Sequence, residues 1–242
     1  MQRKIPILGI DFDDISFAAA LEKSTAFLKG NSMKTIFTPN PEFILNARKD
    51  KHFKEILNKG DLVLCDGIGV ILCSRILNRP IKERVRGIDL IKALLERSEK
   101  TPFSLFILGS SEENCRMAAL KIKENHPGTN ILGFRDGYYR SEEEDEIIDM
   151  INKLSPDLLM VALGSPRQEK FIADSRLKNC RCAIGVGGTV DVLSGNVRLA
   201  PQLLRKLGLE WLYRLICEPR RAGRMIRLPL VLLYALHERI WG

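Results

Sequence analysis

The chain has 242 residues, of which 45% are hydrophobic and 28% are charged, and its formal net charge is +8. This composition excludes a disordered or fibrous protein, and the length allows one large domain or two small ones. Residues 196–242 hold nine Lys/Arg and three Glu, so this segment alone carries +6 while residues 1–195 are nearly neutral. The charge is therefore concentrated at the C-terminal end.

Neither a membrane span nor a zinc site is predicted. The longest uncharged apolar run, Leu228 to Leu236, is too short to cross a bilayer, and acidic residues from Asp11 onward interrupt any apolar signal sequence. The six cysteines form no C-x-x-C pair and the three histidines are scattered, which favours buried, reduced thiols. We expect a cytoplasmic protein that attaches to a membrane only peripherally, on its inner face.

Short apolar runs alternate with amphipathic helical segments from the N-terminus to about Gly195. The predicted strands are mostly apolar, as parallel strands buried on both faces are: Pro6–Ile10, Thr35–Thr38, Leu62–Cys65, Phe103–Leu108, Asn130–Phe134, Leu158–Leu163 and Cys182–Val186. The predicted helices are Ile15–Leu28, Pro41–Asn58, Ile68–Leu77, Ile88–Ser98, Glu112–Asn125, Glu142–Lys153, Pro166–Lys178 and Thr189–Leu193. This alternation predicts an α/β fold with a Rossmann-like, doubly wound, mostly parallel sheet.

The pattern changes in residues 196–242, where prolines divide the chain into helical pieces. Basic residues there are mixed with Trp211, Tyr213, Trp241 and the Leu228–Leu236 run, a combination suited to an anionic membrane surface. We therefore predict an α/β catalytic domain over 1–195 and a basic, amphipathic, membrane-associating helical appendage over 196–242. An exposed apolar tail also favours self-association away from a membrane.

Ligands of open α/β sheets bind beyond the carboxyl ends of the strands, and two motifs there are ambiguous. Asp66, in D-G-I-G at 66–69, fits a catalytic carboxylate and equally well a cap of the helix that follows. In T-P-N-P-E at 38–42, capping by Asn40 with Pro41 at the first helical position is favoured. Thr38 is then left to face the crevice.

Three further turns lie beyond predicted strands. G-S-P-R-Q-E at 164–169 has the S-x-x-Q spacing of a capping box between Ser165 and Gln168. G-V-G-G at 185–188, followed by Asp191, lets backbone amides approach a diphosphate or a base. Gly109 and Ser110 form another candidate phosphate turn.

Two other patterns are interpreted mainly as structural. D-F-D at 11–13 has the spacing of a metal-binding pair, but its position before a helix favours capping. Arg84 and Arg86, in R-V-R-G-I-D at 84–89, are able to clamp phosphate oxygens, although a surface loop explains them as well.

Taken together and in this order, these motifs resemble the WecG/TagA/CpsF glycosyltransferase family. The resemblance covers about residues 38–224 and continues through S-G at 194–195, A-P at 200–201, G-L-E-W at 208–211 and E-P-R-R at 218–221. It implies transfer of an N-acetylmannosamine-type sugar from a UDP donor to a polyprenyl-diphosphate-linked N-acetylglucosamine. The chain is most similar to the teichoic-acid-linkage branch, with another UDP sugar as the alternative.

The resemblance also implies roles for single residues. Asp66 becomes the general base of an inverting displacement, and Thr38 and Gln168 orient the sugars. Separately, we expect no cofactor and no metal ion, and an assay with and without a chelator tests the metal. Val186, Gly187 and Asp191 hold the uridine. Arg214, Arg221 and Arg224 meet the diphosphate, with attraction to anionic lipid as the alternative or additional role. Substrate-binding roles are also expected for Asn40, Arg84, Arg86, Gly109 and Ser110.

Two other classes of protein fit less well. A nucleotide-dependent oxidoreductase requires a glycine fingerprint near its N-terminus, and this chain has none. A nucleic-acid-binding protein would use the basic tail, but the interleaved leucines and Trp241 suit lipid better than a phosphate backbone. We therefore expect no nucleic-acid partner.

Overall fold

The computed structural model describes residues 3–201, 203–204, 209–210, 212–213 and 227–241. The chain opens with a hairpin of two antiparallel strands, β1 (Lys4–Ile7) and β2 (Ile10–Asp13). The six strands that follow form one parallel sheet in the order β4-β3-β8-β7-β5-β6. They are β3 (Lys34–Phe37), β4 (Leu62–Val63), β5 (Phe103–Gly109), β6 (Thr129–Arg135), β7 (Leu158–Ala162) and β8 (Cys182–Gly185).

Ten α-helices lie within the described residues. They are α1 (Phe17–Phe27), α2 (Pro41–Lys49), α3 (Lys51–Asn58), α4 (Ile68–Ile76), α5 (Gly87–Arg97), α6 (Glu112–Asn125), α7 (Glu144–Leu154), α8 (Arg167–Ile172), α9 (Thr189–Leu193) and α10 (Arg227–Trp241). A 3-10 turn, Ser141–Glu143, precedes α7.

The sheet separates two hydrophobic cores, as a doubly wound fold requires. Neighbouring strand residues alternate between them, so that Phe106 and Leu108 pack with α7 and α8, while Leu105 and Ile107 pack with α6. The second core also holds α1, α5 and α9. Strands buried on both faces give the near-continuous apolar runs seen in the sequence. The predicted α/β, mostly parallel fold is confirmed.

The N-terminal prediction of one parallel strand at Pro6–Ile10 is wrong. Residues 8 and 9 form the turn of the hairpin, with φ of 50° at Leu8 and 87° at Gly9. The buried Asp13 side chain accepts a hydrogen bond of 2.8 Å from the Val63 backbone N–H on edge strand β4. Asp13 is thus a strand residue that fixes the hairpin on the sheet, whereas Ser16 caps α1.

Two predicted helices are shorter than the sequence pattern indicated. The segment Pro41–Asn58 is divided at Asp50, whose extended backbone ends α2 and whose side chain caps α3 through the Phe53 N–H. The segment Pro166–Lys178 is helical only over α8, because Asp174 accepts from the Arg176 N–H in a tight turn. Periodicity continues across both breaks because each following segment packs on the same core.

The last helix, α10, lies against the α/β body rather than apart from it. Val231 and Ala235 are fully buried, the Arg48 guanidinium stacks on the Tyr234 ring, and Arg227 pairs with Glu42 at 3.1 Å. The five described cysteines are buried free thiols, as predicted. Among the described residues, no helix combines the length and the apolar character needed to cross a membrane.

Candidate functional site

A cleft of about 740 Å³ opens at the carboxyl ends of the strands. Most of the predicted site residues line it, although they are far apart in sequence. Those residues are Thr38, Asn40, Asp66, Arg84, Arg86, Ser110, Gln168, Val186, Gly187 and Asp191. Arg214, Arg221 and Arg224 lie outside the described residues, and their roles stay predictions.

Asp66 is one of the carboxylates that line this cleft. It follows β4, and its Oδ2 accepts a hydrogen bond of 3.3 Å from the Gly87 N–H at the start of α5. The cap of α4 is Gly67, so the alternative that Asp66 caps its own helix is wrong. Burial raises the pKa of Asp66 to about 6, and Glu210 adds to the rise while the Gly87 N–H, Arg84 and Arg86 oppose it. A group with this pKa is suited to accept a proton near neutral pH.

Arg86 is buried and held by two carboxylates. Its guanidinium contacts Asp89 of α5 at 2.5 Å and Glu210 of the C-terminal segment at 3.1 Å. The exposed-loop interpretation of Arg86 is therefore wrong, since the residue is only 8% exposed. The pair with Glu210 brings the C-terminal segment to the edge of the Asp66 cleft.

Thr38 and Asn40 follow β3 on the same side of the cleft. The Asn40 side chain accepts from the Glu42 N–H at 2.8 Å, so its predicted capping role is confirmed. Thr38 is buried against Gly87, and its hydroxyl lies 3.5 Å from the Gly185 carbonyl oxygen. Thr38 thus connects β3 with the turn after β8.

A polar network occupies the opposite side of the cleft. The Ser110 hydroxyl donates to Asp191 Oδ1, which also accepts from the Asn114 amide at 2.8 Å. Gly109 shapes the turn that presents Ser110: its φ is 112°, and a Cβ there would lie 2.5 Å from the Ala162 backbone. Gly109 itself does not line the cleft. A carboxylate held by two donors is suited to bind hydroxyl groups.

The predicted capping box between Ser165 and Gln168 is wrong. The helix begins one residue later, at Arg167, and Pro166 occupies the cap position without a side-chain hydrogen bond. Gln168 turns inward instead, where its Oε1 accepts from the Gly187 N–H at 3.2 Å and its Nε2 donates to Glu169 at 2.6 Å. Gln168 therefore supports the turn after β8.

Several residues of the site region were not predicted from the sequence. Asn114 and Tyr138 line the cleft, Glu210 reaches it from the C-terminal segment, and Glu169 lies buried behind Gln168. Tyr138 follows β6, so the rule on the carboxyl ends of strands would have found it. The other three carry no such signal, because their placement depends on how helices pack.

No group of three His, Cys, Asp or Glu side chains within the described part of the chain is arranged to hold a metal ion. The site there consists of one carboxylate with a raised pKa, cationic side chains at its edge, and polar groups across the cleft. This arrangement offers a base beside recognition groups for a polar substrate.

The sequence is similar to those of known glycosyltransferases. A sequence model described as "Glycosyl transferase WecG/TagA/CpsF family" matches residues 5–242. A protein of Bacillus spizizenii, 37% identical over 99% of this chain and 93% of its own length, is named N-acetylglucosaminyldiphosphoundecaprenol N-acetyl-beta-D-mannosaminyltransferase. Proteins of Bacillus subtilis (37% identical, covering 92% and 86%) and Staphylococcus aureus MRSA252 (30% identical, covering 94% and 90%) carry the same name. The chain belongs to the WecG/TagA/CpsF family of glycosyltransferases.

Proposed function

We propose that this glycosyltransferase moves N-acetylmannosamine from UDP-N-acetylmannosamine to undecaprenyl-diphosphate-linked N-acetylglucosamine. The product is the β-1,4-linked disaccharide-lipid of the teichoic acid linkage unit. Relatives that match over nearly the whole chain and are named for this transfer support the assignment. The observation that carries it in the structure is Asp66, a carboxylate with a pKa of about 6 that lines the cleft.

The chemistry is a single in-line displacement at the anomeric carbon. Asp66 accepts the proton of the acceptor hydroxyl as the new carbon–oxygen bond forms. The bond to the UDP oxygen breaks on the opposite side, and UDP departs with its electron pair. An α-linked donor then gives a β-linked product.

Stabilisation of departing UDP is assigned to protein groups rather than to a metal ion. Arg84 lies close enough to Asp66 to lower the pKa of that carboxyl group, and the backbone of the 185–188 turn lines the same cleft. Val186, Gly187 and Asp191 are proposed to hold the uridine. Arg214, Arg221 and Arg224 are proposed to add cationic charge. Turnover should therefore be unchanged after addition of a chelator.

Membrane attachment is proposed to use the exposed face of α10. Leu233, Leu236, Ile240 and Trp241 are between 46% and 79% exposed, while Val231 and Ala235 on the other face are buried. Apolar side chains beside basic residues suit the surface of an anionic bilayer. The enzyme then acts peripherally on the cytoplasmic face, where its lipid-linked acceptor lies.

The test is release of UDP from purified UDP-sugars with a lipid-diphosphate-N-acetylglucosamine acceptor. UDP-N-acetylmannosamine should give turnover that depends on the acceptor. Turnover with the corresponding uronic acid instead would favour the related activity, transfer of another UDP sugar. Absence of turnover with every UDP-sugar would contradict the proposal.

A further inference from the structure

Glu169 is a buried carboxyl group that the proposed chemistry does not use. It lies on α8 and is 1% exposed. Its Oε2 and the neighbouring Ser165 hydroxyl have no hydrogen-bond partner among the described residues. Burying an ionised carboxylate without a cation is costly, so a residue of this kind calls for a structural or functional reason.

Glu169 is connected to the cleft through Gln168. Gln168 Nε2 donates to Glu169 Oε1 at 2.6 Å, and Gln168 Oε1 accepts from the Gly187 N–H at 3.2 Å. The two ends of an amide are not equivalent, since one only donates and the other only accepts. An acceptor at Glu169 and a donor at Gly187 are therefore satisfied together in one orientation of the Gln168 amide.

We propose that Glu169 is a positioning residue, which fixes the Gln168 amide and thereby holds the 185–188 turn in its shape. A Cβ at Gly185 would lie 2.7 Å from Gln168 Nε2 and 3.0 Å from Glu169 Oε1, so both groups pack directly under this turn. Gly187 has a φ of 49°, in the left-handed region. That this turn receives the nucleotide of the donor rests on the proposed function.

The role does not require a charge on Glu169. Burial raises its pKa to about 7 and Glu42 adds to the rise, while the hydrogen bond from Gln168 opposes it. A neutral carboxyl group still accepts the Gln168 hydrogen bond through Oε1. A glutamine at this position offers the same acceptor and a donor, whereas a leucine fills the space with neither.

The experiment compares Glu169→Gln with Glu169→Leu. Exchange of the Gly187 amide hydrogen is followed by NMR, and UDP affinity is measured by titration calorimetry. We expect about tenfold faster exchange and about tenfold weaker UDP binding in Glu169→Leu, because a buried hydrogen-bonding partner is lost. In Glu169→Gln, both the Gly187 exchange rate and the UDP affinity should stay within about twofold of the wild-type values. Asp157→Leu, which removes a carboxylate at the amino end of β7, should lower stability without changing Gly187 exchange.

Wild-type exchange in Glu169→Leu would overturn the proposal, as would equally fast exchange in Glu169→Gln. If wild type fails to bind UDP while exchange follows the expected order, the proposed function fails and the positioning role stands. If Glu169→Leu does not fold, a pH titration of the wild-type protein followed by NMR replaces it. The signals of the Gly187 amide and of the Gln168 side chain should then titrate together near pH 7. Glu169→Gln should abolish this titration, and independent behaviour of the two signals would contradict the proposal.

Discussion

Asp66 shows how a single carboxyl group gains reactivity from its surroundings. Its pKa is raised to about 6 chiefly by burial. The ionised form therefore dominates at pH 7, and this carboxylate binds a proton more strongly than an exposed aspartate does. Turnover should fall about tenfold per pH unit below 6, since only the ionised form accepts a proton. Asp66→Asn should reduce turnover by about a thousandfold and leave UDP affinity unchanged. Near-normal turnover in this variant would refute the assignment.

The same raised pKa predicts a cost in stability. Because the folded pKa of Asp66 lies above its unfolded value, its contribution to stability is present below about pH 4 and is lost as pH rises through 6. At pH 7.5, Asp66→Asn should therefore be more stable than wild type by about 1–2 kcal/mol. The difference should shrink towards pH 4. Urea unfolding at both pH values measures it, and equal stability at pH 7.5 would contradict the argument.

Residues that follow strands could be predicted from the sequence because the carboxyl ends of parallel strands meet at one edge. Thr38, Asp66 and Ser110 are brought together in this way. The role of Glu169 was not predictable, since it depends on the direction in which the neighbouring Gln168 side chain points. The spacing at 165–168 fits a capping box, but Gln168 instead satisfies the Gly187 N–H.

At the scale of elements, the sequence predicted which strands and helices exist better than it predicted where they begin and end. Buried parallel strands are recognised by their apolar runs, and all six strands of the sheet were found. The N-terminal hairpin was missed because its turn at Leu8 and Gly9 lies inside one apolar run. Asp50 both ends α2 and caps α3, a break that helical periodicity does not reveal.

The contact between the C-terminal segment and α5 gives a prediction at this scale. Glu210 pairs with Arg86 and its charge raises the pKa of Asp66, whereas Arg84 and Arg86 lower that pKa. Glu210→Gln removes the negative charge and releases Arg86 from one partner, and both changes favour the ionised form of Asp66. The acid limb of the pH–rate profile should move to lower pH by about half a unit.

Glu83→Gln is the matched control for this variant. Glu83 lies three residues before Arg86 but bonds to the Phe17 backbone N–H, and it does not line the cleft. Its profile should superimpose on that of wild type. An unchanged acid limb in Glu210→Gln, or a shift to higher pH, would show that the C-terminal segment does not influence the base.

At the scale of the whole molecule, the nearly neutral and the basic parts of the sequence contribute differently to the structure. The nearly neutral residues 1–195 build the sheet and most of the cleft, while residues 196–242 carry a net charge of +6. The described part of that segment contacts the body through Asn196 with Asn114, Glu210 with Arg86, and α10 with α2 and α4. The separation into a catalytic domain and an appendage stays a prediction.

The two faces of α10 provide a test of membrane attachment that leaves the fold intact. Leu233 and Ile240 are 62% and 59% exposed, so changing both to glutamine spares the packing of Val231 and Ala235. Liposome binding should weaken at least tenfold, because each large side chain contributes about 1.5–3 kcal/mol when buried in an apolar phase. Turnover should fall with the long-chain acceptor in vesicles but not with a soluble short-chain acceptor.

Leu120→Gln with Leu154→Gln, on α6 and α7, is the control for loss of exposed leucines and should bind liposomes normally. Equal binding by both double variants would assign attachment to a surface other than α10.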